Sequence, residues 1–250
     1  MRISFCTSCC NRTHYLKQTL QHNLQQIAGT DHQIIVVDYG SSDDLQLFMQ
    51  HFRRHDNLKF YSIDTDDWHM SKAKNAAHAA ADGDILFNLD CDNFISQKLI
   101  SHVESVMSEQ PNCIFHNADC PAGEPTDLDY TTASILPDMW SHGDGTGGRI
   151  ALKAENFFML GGYDESLEAM GYQDNDLISR AKESRLVYIR EPREAQAIKH
   201  SKCESLSISE EEWYAMDIKN KSISEANILA GRLCCATDFD LIEDLLIEIY

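Results

Sequence analysis

Short apolar runs alternate with stretches of helical spacing through the first half of the chain. Ile3, Ser4 and Phe5 open a strand that ends in a polar turn around Asn11 and Arg12. Leu16, Leu20, Leu24 and Ile27 then recur every three or four positions, so one stripe of the next helix faces a core. Ile34-Ile35-Val36-Val37 is a continuous β-branched run, the mark of a strand covered on both faces. It stops at Asp38-Tyr39-Gly40-Ser41-Ser42-Asp43, where Ser42 or Asp43 is expected to cap a helix carrying Leu45, Phe48, Met49 and Phe52. The pattern then repeats with a strand over 58–63, an alanine-rich helix over 71–81 and a strand over 85–89. Leu99, Ile100, Val103, Val106 and Met107 mark another helix, and Cys113-Ile114-Phe115 a further strand. Strands alternating with helices predict an α/β sandwich with a mostly parallel central sheet flanked by helices, with ligands at the strand-end loops.

Between 119 and 148 the periodicity disappears while Pro, Gly, Asp and Thr accumulate, a length at which loops are usually functional. Regularity returns with a strand at Arg149-Ile150-Ala151-Leu152, a short helix over 154–160 and a turn at Gly161-Gly162. Leu177, Ile178 and Ala181 predict a helix from about Asp174, and Leu186-Val187-Tyr188-Ile189 a strand. From Glu204 onward the chain carries 11 acidic and 3 basic residues. Leu241, Ile242, Leu245, Leu246 and Ile249 lie at helical spacing near its end. A tail helix docked on its own domain is the plain reading; a helix that recruits a protein partner or a second copy is the sharper one. Its acidic polar face argues against anionic lipid.

Composition narrows the function. A chain of 250 residues with 43% hydrophobic content can fill one substantial core. The formal charge of -19 repels a phosphate backbone, so no nucleic acid is expected as a partner. A phosphate-bearing small ligand needs a cation or local basic groups that invert this field. The nine cysteines include one C-x-x-C spacing, Cys6 to Cys9, without a convincing second pair, and are read as buried free thiols rather than a zinc site. No apolar run reaches the roughly 20 residues of a membrane span, and the first residues lack the apolar core of a secretion signal. The expected compartment is the cytoplasm, with the inner face of the membrane as a peripheral alternative.

Asp90-Cys91-Asp92 follows an apolar strand, and in extended chain its two carboxylates would point the same way. Such oxygens can hold Mg²⁺ or Mn²⁺ against a diphosphate; a solvated turn is the plain alternative. Asp38, at another strand end, could accept hydrogen bonds from a base or sugar hydroxyl, or simply cap the turn at Gly40-Ser41. Asn11 and Arg12 end the first strand, where Arg12 could pair with phosphate or be an ordinary surface arginine. Lys74-Asn75 interrupts the alanine-rich helix and suggests a specific hydrogen bond near the site, or mere exposure. In Gly171-Tyr172-Gln173-Asp174-Asn175-Asp176-Leu177 the acids suit a helix start. Functionally, Asp174 could take the proton of an acceptor hydroxyl while Asp176 orients neighbouring groups. His200 could be a further metal ligand, although an isolated histidine usually is not. Trp140 could stack on a sugar ring or anchor its loop.

Taken in order, these motifs resemble the inverting glycosyltransferases of the GT-A (nucleotide-diphospho-sugar transferase) fold. The N-terminal half is similar to family 2, and the stretch 145–180 to the catalytic region of β-1,4-galactosyltransferases and bacterial chondroitin-type polymerases. Cys10-Asn11-Arg12 is similar to the opening nucleotide-binding segment, and Val37-Asp38-Tyr39-Gly40-Ser41-Ser42-Asp43 resembles Val-Asp-Asp-Gly-Ser-x-Asp, with Tyr39 replacing the second carboxylate. Lys74-Asn75 matches an Arg-Asn, and Asp90-Cys91-Asp92 the Asp-x-Asp metal motif. Gly161-Gly162-Tyr163-Asp164-Glu165 matches a Gly-Gly-Phe/Tyr-Asp-Glu turn before the acceptor site, and 171–177 resembles Trp-Gly-Gly-Glu-Asp-x-Asp-Leu, with Gln173 in place of Glu.

The resemblance implies Asp174 as catalytic base, Asp92 and His200 as metal ligands, and Asn11, Arg12, Asp38, Lys74, Asn75 and Asp90 as donor-binding residues. Trp140, Tyr163, Gln173 and Asp176 complete the expected acceptor side. Residues 1–203 would form the GT-A domain, with 1–118 as its nucleotide-sugar half and 119–203 as its acceptor half, and 204–250 an acidic helical tail. The expected reaction is metal-dependent, inverting transfer of a hexose or N-acetylhexosamine from a nucleotide sugar, by expectation UDP-linked, to a hydroxyl of a saccharide, lipid-linked or protein acceptor. A non-catalytic binding module on the same fold and a nucleotidyltransferase are the alternatives; the latter lacks its lysine- or glycine-rich phosphate loop near the N-terminus.

Overall fold

The computed structural model describes residues 1–118, 147–198, 200 and 208–250. Its centre is an eight-stranded sheet of order β10 (Ile247–Glu248), β3 (Leu58–Ile63), β2 (Gln33–Tyr39), β1 (Ile3–Cys9), β4 (Ile85–Asn88), β7 (Ile150–Lys153), β6 (Cys113–His116) and β8 (Val187–Arg190). β1, β2, β3 and β4 form a parallel block. β7 lies antiparallel between β4 and β6, and β8 runs parallel to β6. The β-branched run of β2 is wholly buried because helices cover both sheet faces.

One face packs against α1 (Thr13–Gln26), α2 (Leu45–Met49) and α4 (Gln97–Glu109), whose Leu16, Leu20, Leu24, Leu99 and Val103 join the core there. The other face takes α3 (Met70–Ala79), α5 (Ala154–Met159) and α6 (Gln173–Glu183). Alanines at 73, 76 and 77 let α3 lie close over β1 and β2. Because β1, β2 and β4 are parallel, with Cys9 opposite Asp38 and Cys6 opposite Asn88, their carboxyl ends deliver Asn11, Asp38 and Asp90 to one edge of the sheet.

Several local expectations need correction. Asp44 directly precedes α2 but makes no side-chain cap bond; Asp43 accepts from Leu45 N (3.2 Å) at the start of α2 and also from Thr13 N (3.0 Å) and Oγ1 (2.8 Å) at the start of α1. The helix expected through the C-terminus, α8 (Phe239–Leu245), stops early; β10 (Ile247–Glu248) then adds antiparallel to β3. α7 (Glu210–Leu229) packs on α6, α8 packs on α3, and Phe239 lies 4.9 Å edge-on to Phe158. No helix among the described residues is long and apolar enough to cross a membrane. The described cysteines are free thiols, with Cys6, Cys9, Cys91 and Cys113 buried.

Candidate active site

The site is organised around Lys74, whose ammonium is almost completely buried on α3. Its Nζ lies 2.6 Å from Asp174 Oδ1 and 3.7 Å from Asp90 Oδ1. A buried charge of this kind is tolerated only when paired. Burial works against the ammonium, but the nearby carboxylates of Asp174 and Asp90 outweigh it and raise its pKa. Burial likewise opposes charge on Asp90, yet Lys74, a hydrogen bond from Asn88, and the fields of Arg12 and His200 hold its carboxyl below the usual range. The Asp90-Cys91-Asp92 motif and the 171–177 segment, distant in the sequence, therefore meet through one lysine.

Asp90 and Asp92 do not point the same way. Asn93 N donates to Asp90 O at 2.9 Å, closing a turn over the motif rather than extending it. Asp90 turns to Lys74 and to Asn88 Nδ2 (3.1 Å), whereas Asp92 Oδ2 lies 3.2 Å from His200 Nε2. Donor atoms ligating one metal at adjacent positions stand about 3 Å apart, given bonds near 2 Å. The carboxylate–imidazole pair Asp92–His200 thus fits two neighbouring positions on a divalent ion. Among the described residues, no group of three or more His, Cys, Asp or Glu side chains is placed to hold a metal, so the remaining positions would fall to ligand oxygens or water.

Arg12 stands at the start of α1, its guanidinium 4.6 Å over the Tyr15 ring. Its Nε and Nη2 have no hydrogen-bond partner among the described residues. Burial opposes its charge, but Cys91, Asp92 and Asp90 together raise its pKa. It is a fixed cation beside the acidic motif with donors to offer.

Asn11 and Asp38 shape this rim. Asn11, at a φ of +54°, accepts from Ser42 N (2.8 Å) and Asp43 N (3.2 Å), so it ties the first loop to the second. Asp38 accepts from Ser41 N at 2.9 Å and from Gln46 Nε2 at 3.3 Å, and is buried. Asp38 thus caps the turn at Gly40-Ser41. Tyr39 packs edge-on to Trp68 at 5.9 Å, and burial, followed by the field of Glu165 and Asp67, pushes its hydroxyl up to about 12.

Four expected ligand contacts are redirected inward. Asn75 is completely buried: its amide donates to Tyr163 O (2.9 Å) and Glu165 Oε1 (2.9 Å) and accepts from Tyr163 N (2.8 Å). It fixes the Gly161-Gly162 turn, with both amide protons committed there. Tyr163 is buried against His78 and Phe157, below Lys74, so it cannot meet an acceptor at the surface. Gln173 is 1% exposed and donates to Glu168 O at 2.8 Å. Asp176 is 0% exposed and accepts from Arg180 Nε at 2.8 Å, while Arg180 donates to Leu160 O (2.8 Å) and Gly162 O (2.7 Å). These side chains support the loop and helix that carry Asp174 from behind. Asp174, two residues earlier on the other side of the helix, keeps 24% exposure. Trp140 lies outside the described residues.

Sequence reading missed three contributors. Asn88 Nδ2 bonds Asp90 and also Gly148 O at 2.7 Å. A Cβ at Gly148 would overlap Asp90 Oδ2 and stand 3.0 Å from Lys74 Nζ, so glycine is what lets this strand approach. Asn220 on α7 donates to Met170 O (3.1 Å) and Gly171 O (2.6 Å) and accepts from Glu168 N (2.6 Å), clamping the loop that delivers Asp174. Nothing in local sequence pattern marks an asparagine of a C-terminal helix for that role.

A family model described as "Glycosyl transferase family 2" matches residues 4–163. The chain belongs to glycosyl transferase family 2. It is a sugar-transferring enzyme on an α/β sheet of GT-A type, and the nucleotidyltransferase alternative falls. The match ends before 171–177, so the likeness to a galactosyltransferase or chondroitin-polymerase catalytic region is not part of it. No curated protein matches the chain. Among solved structures, S. aureus TarS 1-349 in complex with UDP-GlcNAc is similar at a TM-score of 0.64 and 15% identity, over 98% of this chain and 70% of that one. The longer S. aureus TarS chain gives 0.63 and 16%, with 98% of this chain against 42% of that one. The mannosyltransferase PcManGT from Pyrobaculum calidifontis, in complex with GDP-Man and Mn²⁺, gives 0.58 and 16% over 77% of this chain and 55% of that one. At these identities the likeness is one of fold.

Proposed function

We propose that this family 2 enzyme transfers a hexose or N-acetylhexosamine from a UDP-linked sugar to an acceptor hydroxyl, with inversion and with a divalent metal, Mn²⁺ or Mg²⁺. The carrying observation is the Asp90–Lys74–Asp174 bridge, which joins a strand-end donor motif to a partly exposed carboxylate across one buried charge. The S. aureus TarS complex with UDP-GlcNAc and the PcManGT complex with GDP-Man and Mn²⁺ support a nucleotide-sugar donor on this fold.

In this reading Asp92 and His200 would hold the metal, which would supply positive charge to neutralise a diphosphate leaving group. Arg12 supplies the donors it does not use internally to a phosphate oxygen. Lys74 keeps Asp90 and Asp174 at fixed places and holds their charges apart. Asp174 accepts the proton of the acceptor hydroxyl. The freed oxygen bonds to the anomeric carbon as that carbon's bond to the diphosphate oxygen breaks, and the electron pair leaves with the nucleotide. Attack from the face opposite the leaving group inverts the centre.

Calorimetry of the purified chain against a panel of UDP-sugars, with and without Mn²⁺, tests the reading. It expects binding of one donor class and slow donor hydrolysis, with Asp174→Asn sparing donor affinity and abolishing transfer. Failure to bind any nucleotide sugar, with or without metal, would sink it.

A further inference from the structure

Arg149 stands at the foot of β7, where sequence spacing reads it as an ordinary strand residue. It is instead fully buried, among the largest side chains in the protein with no exposure. Among the described residues no carboxylate forms an ion pair with it. Its guanidinium is held by neutral groups. Nε donates to Asn117 Oδ1 at 2.8 Å; Nη1 donates to Asn93 Oδ1 (3.1 Å), to Phe94 O (2.8 Å) and, at the edge of range, to Gln196 O (3.4 Å). Nη2 has no partner among the described residues. Burial lowers its pKa to about 10, against the opposing fields of Asp90 and Asp92.

Those partners are not random. Asn93 and Phe94 are β5 (Asn93–Phe94), the two residues directly after Asp92; Gln196 belongs to β9 (Gln196–Ala197), which leads to His200. β5 and β9 form a two-strand ribbon of only two residue pairs, Asn93 with Ala197 and Phe94 with Gln196. So short a ribbon cannot hold a register by itself. One arginine bonds both of its strands. Its anchor Asn117 donates in turn to Glu191 O and Arg193 O, both at 2.8 Å, on the approach to β9. Ile198 N closes the arrangement by donating to Asp92 O at 2.9 Å.

We infer that Arg149 is a positioning residue for the Asp92–His200 pair, locking the β5–β9 ribbon so that the two side chains meet as adjacent ligands of one divalent metal. This rests on the metal reading of Asp92 and His200 given above. A planar fork bonding three elements at fixed angles cannot be replaced by a point charge. Losing an outer-shell partner of a metal ligand commonly weakens metal binding by about 10–100-fold.

The test is Mn²⁺ binding to the isolated full chain, read by electron paramagnetic resonance of free Mn²⁺, for wild type, Arg149→Lys and Asn117→Ala, with thermal melts as a folding check. Arg149→Lys keeps the charge and loses the fork; it is expected to weaken Mn²⁺ binding by roughly 10–100-fold while UDP binding without metal stays within about twofold. Asn117→Ala, which leaves Arg149 in place and removes its anchor, is expected to move affinity in the same direction. Wild-type Mn²⁺ affinity in folded Arg149→Lys would overturn the positioning role, because charge alone would then suffice. Wild-type protein that takes up no Mn²⁺, either alone or with UDP present to supply diphosphate oxygens, would instead overturn the metal reading, and this inference with it.

Discussion

Asp174 and Asp176 stand two residues apart at the start of α6, and the structure predicts opposite phenotypes for their isosteric amides. Asp176 and Arg180 are both fully buried, joined Oδ2 to Nε at 2.8 Å. Asp176→Asn keeps the shape and removes the charge, leaving a buried guanidinium that still donates to Leu160 O and Gly162 O. Breaking a buried pair in this way costs about 3–5 kcal/mol, whereas the lost helix-terminus interaction is worth only about 0.3–1 kcal/mol, so the orphaned arginine decides the outcome. For a domain of this size each kcal/mol moves Tm by about 2–4 °C, which gives a fall of roughly 6–20 °C. Asp174→Asn loses a partly exposed contact to Lys74 and is expected to move Tm far less. Differential scanning calorimetry, together with kcat measured well below the lower Tm, separates them. Asp176→Asn should melt early yet retain kcat; Asp174→Asn should fold and lose transfer. An Asp176→Asn protein with an unchanged Tm and a collapsed kcat would refute the assignment of these two carboxylates.

Gly148→Ala places a methyl group against Asp90 and within 3.0 Å of Lys74 Nζ. Both neighbours are side-chain ends that can shift, so the protein should lose about 1–3 kcal/mol on unfolding, and donor affinity measured by calorimetry should fall at least about tenfold. Asn220→Ala leaves the carbonyls of Met170 and Gly171 without their donor. It should cost about 1–3 kcal/mol and raise the acceptor KM while donor Kd stays near wild type, a split visible in steady-state kinetics. His78 is buried, bonded to Lys74 O at 2.7 Å and stacked on Phe157, and burial lowers its pKa to about 4. The unfolded chain binds this proton near its ordinary value of about 6.5 while the folded one resists it, so stability is full above that value and falls as pH drops toward 4. Urea titrations across that window should show a loss on the order of 3 kcal/mol from this group, and His78→Phe should flatten the slope.

The parallel block was legible because β2, β4 and their neighbours carry continuous apolar runs, which only sheets covered on both faces tolerate. The end of the chain was not. Leu241, Leu245 and Ile249 fit a helix, but Leu245, Ile247 and Ile249 also alternate as a strand, and only the open edge of β3 selects the second period after Leu245. The Asp-x-Asp motif was found by type, yet its geometry depended on a turn closed by Asn93 N that no local pattern announces. Two residues apart on a helix lie about 200° apart around the axis, so of Asp174 and Asp176 one must turn inward. Only the buried Arg180 tells which. Arg149 was invisible for the same reason: burial of a charge is decided by what surrounds it, and its partners come from three distant segments.

Charge at the centre of the site bears on the metal. Arg12, Lys74 and Arg149 stand against Asp90, Asp92 and Asp174, so the named side chains cancel, on a chain whose formal charge is -19. Lys74 is committed to Asp90 and Asp174, and Arg149 is enclosed by Asn117, Asn93 and Phe94. Arg12 alone of the three pairs a position beside the motif with two unpartnered nitrogens among the described residues. One guanidinium against a locally neutral cluster is little attraction for a diphosphate in so acidic a protein. A divalent ion at Asp92 and His200 would turn the same cluster to +2, which matches the charge that must be held as the sugar departs. The charge arrangement of the site thus supports the proposed metal alongside the two donor atoms of Asp92 and His200.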